Sequence, residues 1–196
     1  NWLRGNKHSF RKAVNAIQLL PRQQNLRHDV VTCVNRKNFN ELPQIRDKLI
    51  GMGVREWRIF TITPIGRAKD NDPLQLQPNE FKALFDFIRQ TRKQGKIRLN
   101  YGCEGFLGNY ESDVRDHFFF CRAGIQIASV LADGSVSACP NLPRDFIQGN
   151  IYEDNFADIW ESRYRVFRDR SWTKTGICSD CKFYKYCQGN GMHLRD

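Results

Sequence analysis

The sequence predicts an α/β protein, with residues 1–100 as the C-terminal part of a partial β/α barrel and residues 101–196 as a cysteine-rich domain carrying a β-hairpin and a helix. Three observations predict it. Helical and strand patterns alternate through the first half, the order that builds a parallel sheet through right-handed crossovers. After Tyr101 this gives way to aromatic clusters, glycines and cysteines. Finally, Cys121, Cys139, Cys178, Cys181 and Cys187 crowd the second half of the chain.

Ser9 is an expected N-cap, and Phe10, Val14, Ile17 and Leu20 then share one helical face until Pro21 ends the pattern. The run Asp29-Val30-Val31-Thr32-Cys33-Val34 is apolar on both faces, as in a strand covered by helices on each side, which makes Cys33 a packed small apolar residue. Asn40 opens a second helix carrying Leu42, Ile45, Leu49 and Ile50 and closed by Gly51 and Gly53. Trp57 to Thr63 reads as a second strand, followed by the loop Pro64-Ile65-Gly66-Arg67. A third helix starts near Pro78, aligns Phe81, Leu84, Phe85 and Ile88, and ends before Gly95, with a third strand after it. Three strands cannot close a barrel, so the first half is either a small open sheet or the last portion of a β/α barrel, and the missing start favours the second. The chain begins without Met and stops at Asp196 soon after its cysteine cluster, so both ends read as cut and earlier barrel units are expected before Asn1.

In the second half, Ile125 to Leu131 and Ser135 to Ala138 flank Asp133-Gly134, a turn dipeptide suited to a tight hairpin. Pairing Ala132 with Ser135 would set Cys139 opposite Ala128, with Cys121 just beyond the hairpin's open end. A last helix from Phe156 to about Phe167 sends Phe156, Ile159, Trp160 and Phe167 to the core. The run His117-Phe118-Phe119-Phe120 before Cys121 reads as core, and would equally serve as an apolar shell around a metal centre.

Composition excludes several classes. A 40% hydrophobic content suits a folded domain, and no stretch approaches the roughly 18 unbroken apolar residues of a membrane span. No apolar signal region follows Asn1, so a cytoplasmic location is expected. The net charge of +10 is spread along helices beside Asp and Glu, which speaks against a nucleic-acid partner. Seven cysteines, an odd number, in a chain without a secretory signal point to metal, cluster or redox use instead of a disulfide framework.

Cys178-Ser179-Asp180-Cys181 with Cys187 can aim three thiolates at one centre, a spacing seen in zinc and iron–sulfur sites alike. Adding Cys121, Gly134 and Cys139 yields C-x12-G-x4-C, a gap, then C-x2-C-x5-C. This pattern resembles the signature of SPASM domains, the auxiliary-cluster domains of radical S-adenosylmethionine enzymes. The strand ending Val34-Asn35-Arg36-Lys37-Asn38, the Gly51 to Gly53 turn and Pro64-Ile65-Gly66-Arg67-Ala68 resemble the fifth and sixth barrel units of such enzymes. The ending Gln188 to Asp196 is similar to a subfamily associated with bacterial lipoproteins.

The resemblance implies auxiliary 4Fe-4S clusters, with Cys121 and Cys139 serving one and Cys178, Cys181 and Cys187 the other. It implies S-adenosylmethionine in the full-length parent, with Val34, Asn35, Ile62 and Thr63 lining its adenine side. It further implies a peptide or protein substrate and an electron donor such as flavodoxin or ferredoxin. Two departures matter. Gly191 stands where the family has a cysteine, with Cys103 and His193 as candidate replacements; Pro140 stands where sulfatase-maturing members have an Asp base, which disfavours that reaction. The C-x3-C-x2-C loop that holds the radical-generating cluster is absent from the 196 residues, so the chain alone is expected to generate no radical. Gly66 and Arg67 are cofactor-loop candidates and equally an ordinary surface loop. The rival from another class is a non-enzymatic zinc module using Cys121, Cys139, Cys178 and Cys181, which leaves Cys187 and the α/β half unexplained. A thioredoxin-like reading of Cys178 and Cys181 fails on the motif's position in the chain.

Overall fold

The computed structural model describes residues 3–23, 25–65, 68, 73–102 and 105–194. The chain forms two compact units, Asn1–Glu104 with Ser112–His117, and Gly105–Glu111 with Phe118–Asp196.

The first unit is a parallel sheet ordered β1 (Val30–Val34), β2 (Glu56–Thr61), β3 (Arg98–Tyr101), with α1 (Ser9–Leu19), α2 (Leu42–Gly51) and α3 (Pro78–Gln94) alternating between the strands. Val30 pairs with Trp57 and Val34 with Thr61, while Glu56 pairs with Arg98 and Ile59 with Tyr101. Helix α3 is well specified: Pro78 takes its first turn, Gln77 and Glu80 close a capping box, and Gly95 ends it at φ 67°. Its apolar stripe buries Leu84, Phe85 and Ile88, and Phe87 meets Trp57 edge-on at 6.1 Å. The Trp57 indole donates to Thr32 Oγ1 at 2.9 Å, so the bulkiest core residue is also satisfied as a polar group.

Strand β1 departs from expectation. Val31 and Cys33 are exposed, whereas Val30, Thr32 and Val34 are wholly or partly buried. Successive strand residues face opposite sides, so a continuous apolar run splits into a packed row and a solvent row, and Cys33 falls in the second. Helix α1 likewise has no fully buried residue. At the far end of β3, a Cβ on Gly102 would lie 1.7 Å from the Phe60 ring, a close approach only glycine permits.

A single turn, α4 (Glu111–Val114), has Glu111 in the second unit and its other residues in the first; the second unit's antiparallel sheet is ordered β4 (Ser129–Val130), β5 (Ser135–Ser137), β6 (Gly149–Asn150). The hairpin register is one residue off the expected one. Ser129 pairs with Ser137 and Val130 with Val136, and Leu131 N donates to Ser135 O at 2.8 Å. The loop is therefore the three residues Ala132-Asp133-Gly134, with Gly134 left-handed at φ 80° and Asp133 accepting from Ser135 N at 3.0 Å. Continuing this register places Ile127, not Ala128, level with Cys139. A side chain on Gly134 would also collide with Tyr152 at 2.5 Å.

The last predicted helix is two: α5 (Phe156–Ser162), capped by Asn155, and α6 (Arg165–Arg168). Tyr164, at φ −84° and ψ 17°, breaks the helix and shifts its phase. Phe156, the first residue of α5, is 43% exposed, and Tyr164 is fully buried, its hydroxyl donating to Ser137 O at 3.0 Å. Ile159 and Phe167 are buried as expected.

Asp116 ties the first unit together, accepting from Arg92 at 2.9 Å, Arg98 at 2.7 Å and Asn100 at 2.9 Å. Burial would raise its carboxyl, but these donors and the Arg92 charge prevail and hold it at about 2. A depressed folded-state value contributes stability that is complete above the ordinary value of 3.8 and lost as pH falls through about 2. Asp116→Asn should lower the urea midpoint at neutral pH and flatten the acid loss of stability across that window; an unchanged acid limb would refute the assignment.

Candidate metal centre

The first pair of cysteines meets at one core. Cys121 is buried with Phe119, Ala123, Val136, Ala138, Ile159, Tyr164, Phe167 and Met192, and Cys139 packs against the same cluster partly exposed. Both are held by their backbones: Ser137 Oγ donates to Cys139 O at 3.2 Å, and Arg170 donates to Cys121 O at 2.6 Å. Ahead of Cys121, the fully buried Glu111 accepts from Leu107 N and from Phe119 N, each at 2.7 Å. Phe119 of the aromatic run is core, whereas Phe118 is 67% exposed.

Cys178, Cys181 and Cys187 lie in one loop of short turns, each partly exposed. Cys178 ends a 3-10 turn from Gly176, Cys181 O accepts from Tyr184 N at 3.0 Å, and Cys187 ends the short helix α7 (Tyr184–Cys187). Gln188, Gly189 and Asn190 then all take positive φ, reversing the chain. Asn190 Oδ1 accepts from Phe106 N at 2.6 Å, tying the reversal to the segment ahead of Cys121.

The loop and the Cys121 segment are joined through Arg170, which is 3% exposed. Its guanidinium donates to Phe167 O and Cys121 O, while its own carbonyl accepts from Tyr184 Oη and Thr173 Oγ1, both at 2.7 Å. Arg170, Thr173, Tyr184 and Glu111 escape sequence reading because Arg170 lies 49 residues from the carbonyl it binds, and no local pattern marks such a partner.

No described cysteine forms a disulfide, so the donor set is thiols, the chemistry a cluster or zinc needs. Among the described residues, no three Cys, His, Asp or Glu side chains converge as a ready-made metal site. Cys103, Gly66 and Arg67 lie outside the described residues. His193 sits over Gly191, where a Cβ would be 2.9 Å from its ring, and burial pushes its pKa down. In the first unit, Val34, Asn35, Ile62 and Thr63 gather where β1 and β2 end, the carboxyl edge of the parallel sheet. Val34 is fully buried, Ile62 and Thr63 are half-buried, and the Asn35 side chain is engaged in its own turn, donating to Cys33 O and accepting from Lys37 N. Thr61 and Tyr101 hydroxyls meet there at 3.0 Å.

Residues 121–182 match the SPASM family, an iron–sulfur cluster-binding domain. The AdoMet-dependent heme synthase of Methanosarcina barkeri is 25% identical over 203 residues, covering 95% of this chain and 56% of that protein. The AdoMet-dependent heme synthase of Nitratidesulfovibrio vulgaris is 24% identical over 205 residues, covering 95% and 54%. The chain thus spans about half the length of these curated relatives. Among solved structures, anSMEcpe with bound AdoMet and Kp18Cys peptide superposes with TM-score 0.63 at 19% identity, covering 96% of this chain and 54% of that one. Streptococcus suis SuiB bound to S-adenosylmethionine gives TM-score 0.62 at 14% identity, covering 90% and 43%.

Removing the Glu111 carboxylate strands one buried and one part-buried amide donor ahead of the cysteine segment, at a cost of about 2–5 kcal/mol. Glu111→Ala should therefore lower the unfolding free energy by that amount in urea titration, and Glu111→Gln by less, since one amide oxygen remains to accept. Equal stability of Glu111→Ala and the parent would show that the two bonds do not hold the segment.

Proposed function

We propose that this chain, a member of the radical S-adenosylmethionine enzymes that carry a SPASM domain, binds auxiliary 4Fe-4S clusters through its second unit. The match of residues 121–182 to an iron–sulfur domain carries this reading, and the described thiols fit it. Cys121 and Cys139 would ligate one cluster, and Cys178, Cys181 and Cys187 the other, with Cys103 or His193 as the replacement where Gly191 offers no donor. A thiolate-held cluster supplies a one-electron couple of tunable potential, which zinc lacks. The chain's own part is positional: Arg170 bonds the Cys121 carbonyl and Glu111 the Phe119 amide two residues ahead of it, the Cys121 thiol is buried among aromatic side chains, and the three loop thiols sit partly exposed on short turns. Val34, Asn35, Ile62 and Thr63 would line the adenine side of S-adenosylmethionine at the carboxyl edge of the sheet, where β/α proteins place their ligands.

For the whole protein we propose radical modification of a peptide or protein, with a flavodoxin or ferredoxin as electron donor. The solved structure of the same fold with a bound peptide supports that substrate class. A second reading, radical chemistry in heme synthesis, is favoured by the relatives' names and by their match over 95% of this chain, which spans both units. Incubating the full-length protein with reductant and S-adenosylmethionine, against a peptide pool and against a heme precursor, separates the two. Modified peptide by mass spectrometry supports the first, and a new heme absorption band the second.

Reconstituted anaerobically, the chain should be brown, with broad absorption near ~400 nm. Cys178→Ala or Cys181→Ala should remove most iron from the second site, and the exposed Cys33→Ala should change iron content little. Colourless protein with stoichiometric zinc, or equal iron loss in all three variants, would overturn the reading. The 196 residues, lacking a C-x3-C-x2-C loop, should release no 5′-deoxyadenosine above background, whereas the full-length parent should. Cofactor cleavage at a catalytic rate by the 196 residues would refute that division of roles.

A further inference from the structure

Arg170 carries a positive charge into the core of the second unit without a counter-charge. It is 3% exposed, and among the described residues it makes no ion pair with Asp or Glu. Nε donates to Phe167 O at 2.9 Å, one terminal nitrogen donates to Cys121 O at 2.6 Å and to Ala123 O at 3.4 Å, and the guanidinium lies 5.1 Å from the Phe120 ring centre. The other terminal nitrogen is buried without a hydrogen-bond partner. Carbonyl dipoles and a ring face offset part of the cost of burying a guanidinium, but an N–H left without an acceptor keeps that cost from being fully offset. Such a group marks a place where an anionic acceptor is due.

The guanidinium grips the carbonyl of Cys121, the same residue whose thiol heads the first cysteine pair. A cluster held by thiolates is net anionic, and its sulfurs accept hydrogen bonds that raise its reduction potential. Resting on the cluster reading above, we propose that Arg170 is a tuning residue of the cluster at Cys121, its orphaned N–H donating to a sulfur of that centre and its charge stabilising the reduced form. A purely structural role is the competing account, because the Arg170 carbonyl is also a strut, accepting from Tyr184 and Thr173.

The test is an EPR-monitored redox titration of the reconstituted 196-residue chain, with iron counted per chain and the Cys121 signal isolated in a Cys178→Ala background. Arg170→Met should keep the iron of that site and move its midpoint to more negative potential. The reduced-to-oxidised ratio at the parent's midpoint should drop by about tenfold, equivalent to about 59 mV for one electron. Arg170→Lys, which keeps the charge and loses the fork, should shift less, and Tyr184→Phe, which loosens the strut alone, should leave the midpoint in place. Unmoved midpoints in Arg170→Met, or an equal shift in Tyr184→Phe, would overturn the proposal while leaving the cluster reading intact. Should Arg170→Met fail to fold, Arg170→Lys decides: a negative shift supports the tuning role and no shift refutes it. A parent chain that takes up no iron overturns both readings.

Discussion

The hydrogen bond from Arg170 to the carbonyl of Cys121, 2.6 Å long and spanning 49 residues, joins the two cysteine segments of the second unit. One end of Arg170 fixes the residue that opens the first pair, and the other end receives Tyr184, the first residue of the short helix that finishes at Cys187. Around it, Tyr164 and Phe167 form a tilted aromatic pair 5.6 Å apart, extended by Phe146 at 5.6 Å from Phe167. Large rings on short helices let a unit with strands of only two or three residues build a core, because rings contribute far more buried area per residue than the sheet does.

Polar groups organise both units, each locally. In the first, Asp116 gathers Arg92, Arg98 and Asn100, so a helix and a strand share one acceptor. In the second, Asn190 accepts from Phe106 N, and Glu111 accepts from Leu107 N and from Phe119 N, two residues ahead of Cys121. Carboxylates and amides bonded to backbone N–H groups position irregular segments where no ladder of strand or helix bonds is available. A cysteine domain with little regular structure depends on such clamps for the precision that ligation demands.

The departures from sequence reading share one cause, which is that register and phase are decided by contacts distant in the chain. Cys33 reads as packed because its neighbours are apolar, yet strand pairing puts its row on the exposed face. The hairpin turn is legible from Asp133-Gly134, but whether two or three residues form the loop depends on the Asp133 cap on Ser135 and on the third strand, Gly149–Asn150, which is too short to leave a pattern. At the break between the last two helices, the Tyr164 hydroxyl bonds Ser137 O, a partner 27 residues away that no local pattern marks.

By itself the sequence determined the α/β alternation, the limits of α3, the hairpin turn and the cysteine spacing that the SPASM match over residues 121–182 accords with. These are local properties: periodicity, capping residues, left-handed glycines and intervals between thiols are all written within a few turns of chain. Only the tertiary structure decided which strand face is buried, where the last helix breaks, and that a buried arginine stands beside Cys121. Those depend on long-range packing and on the cost of an unpaired buried charge, neither of which any short stretch of residues encodes.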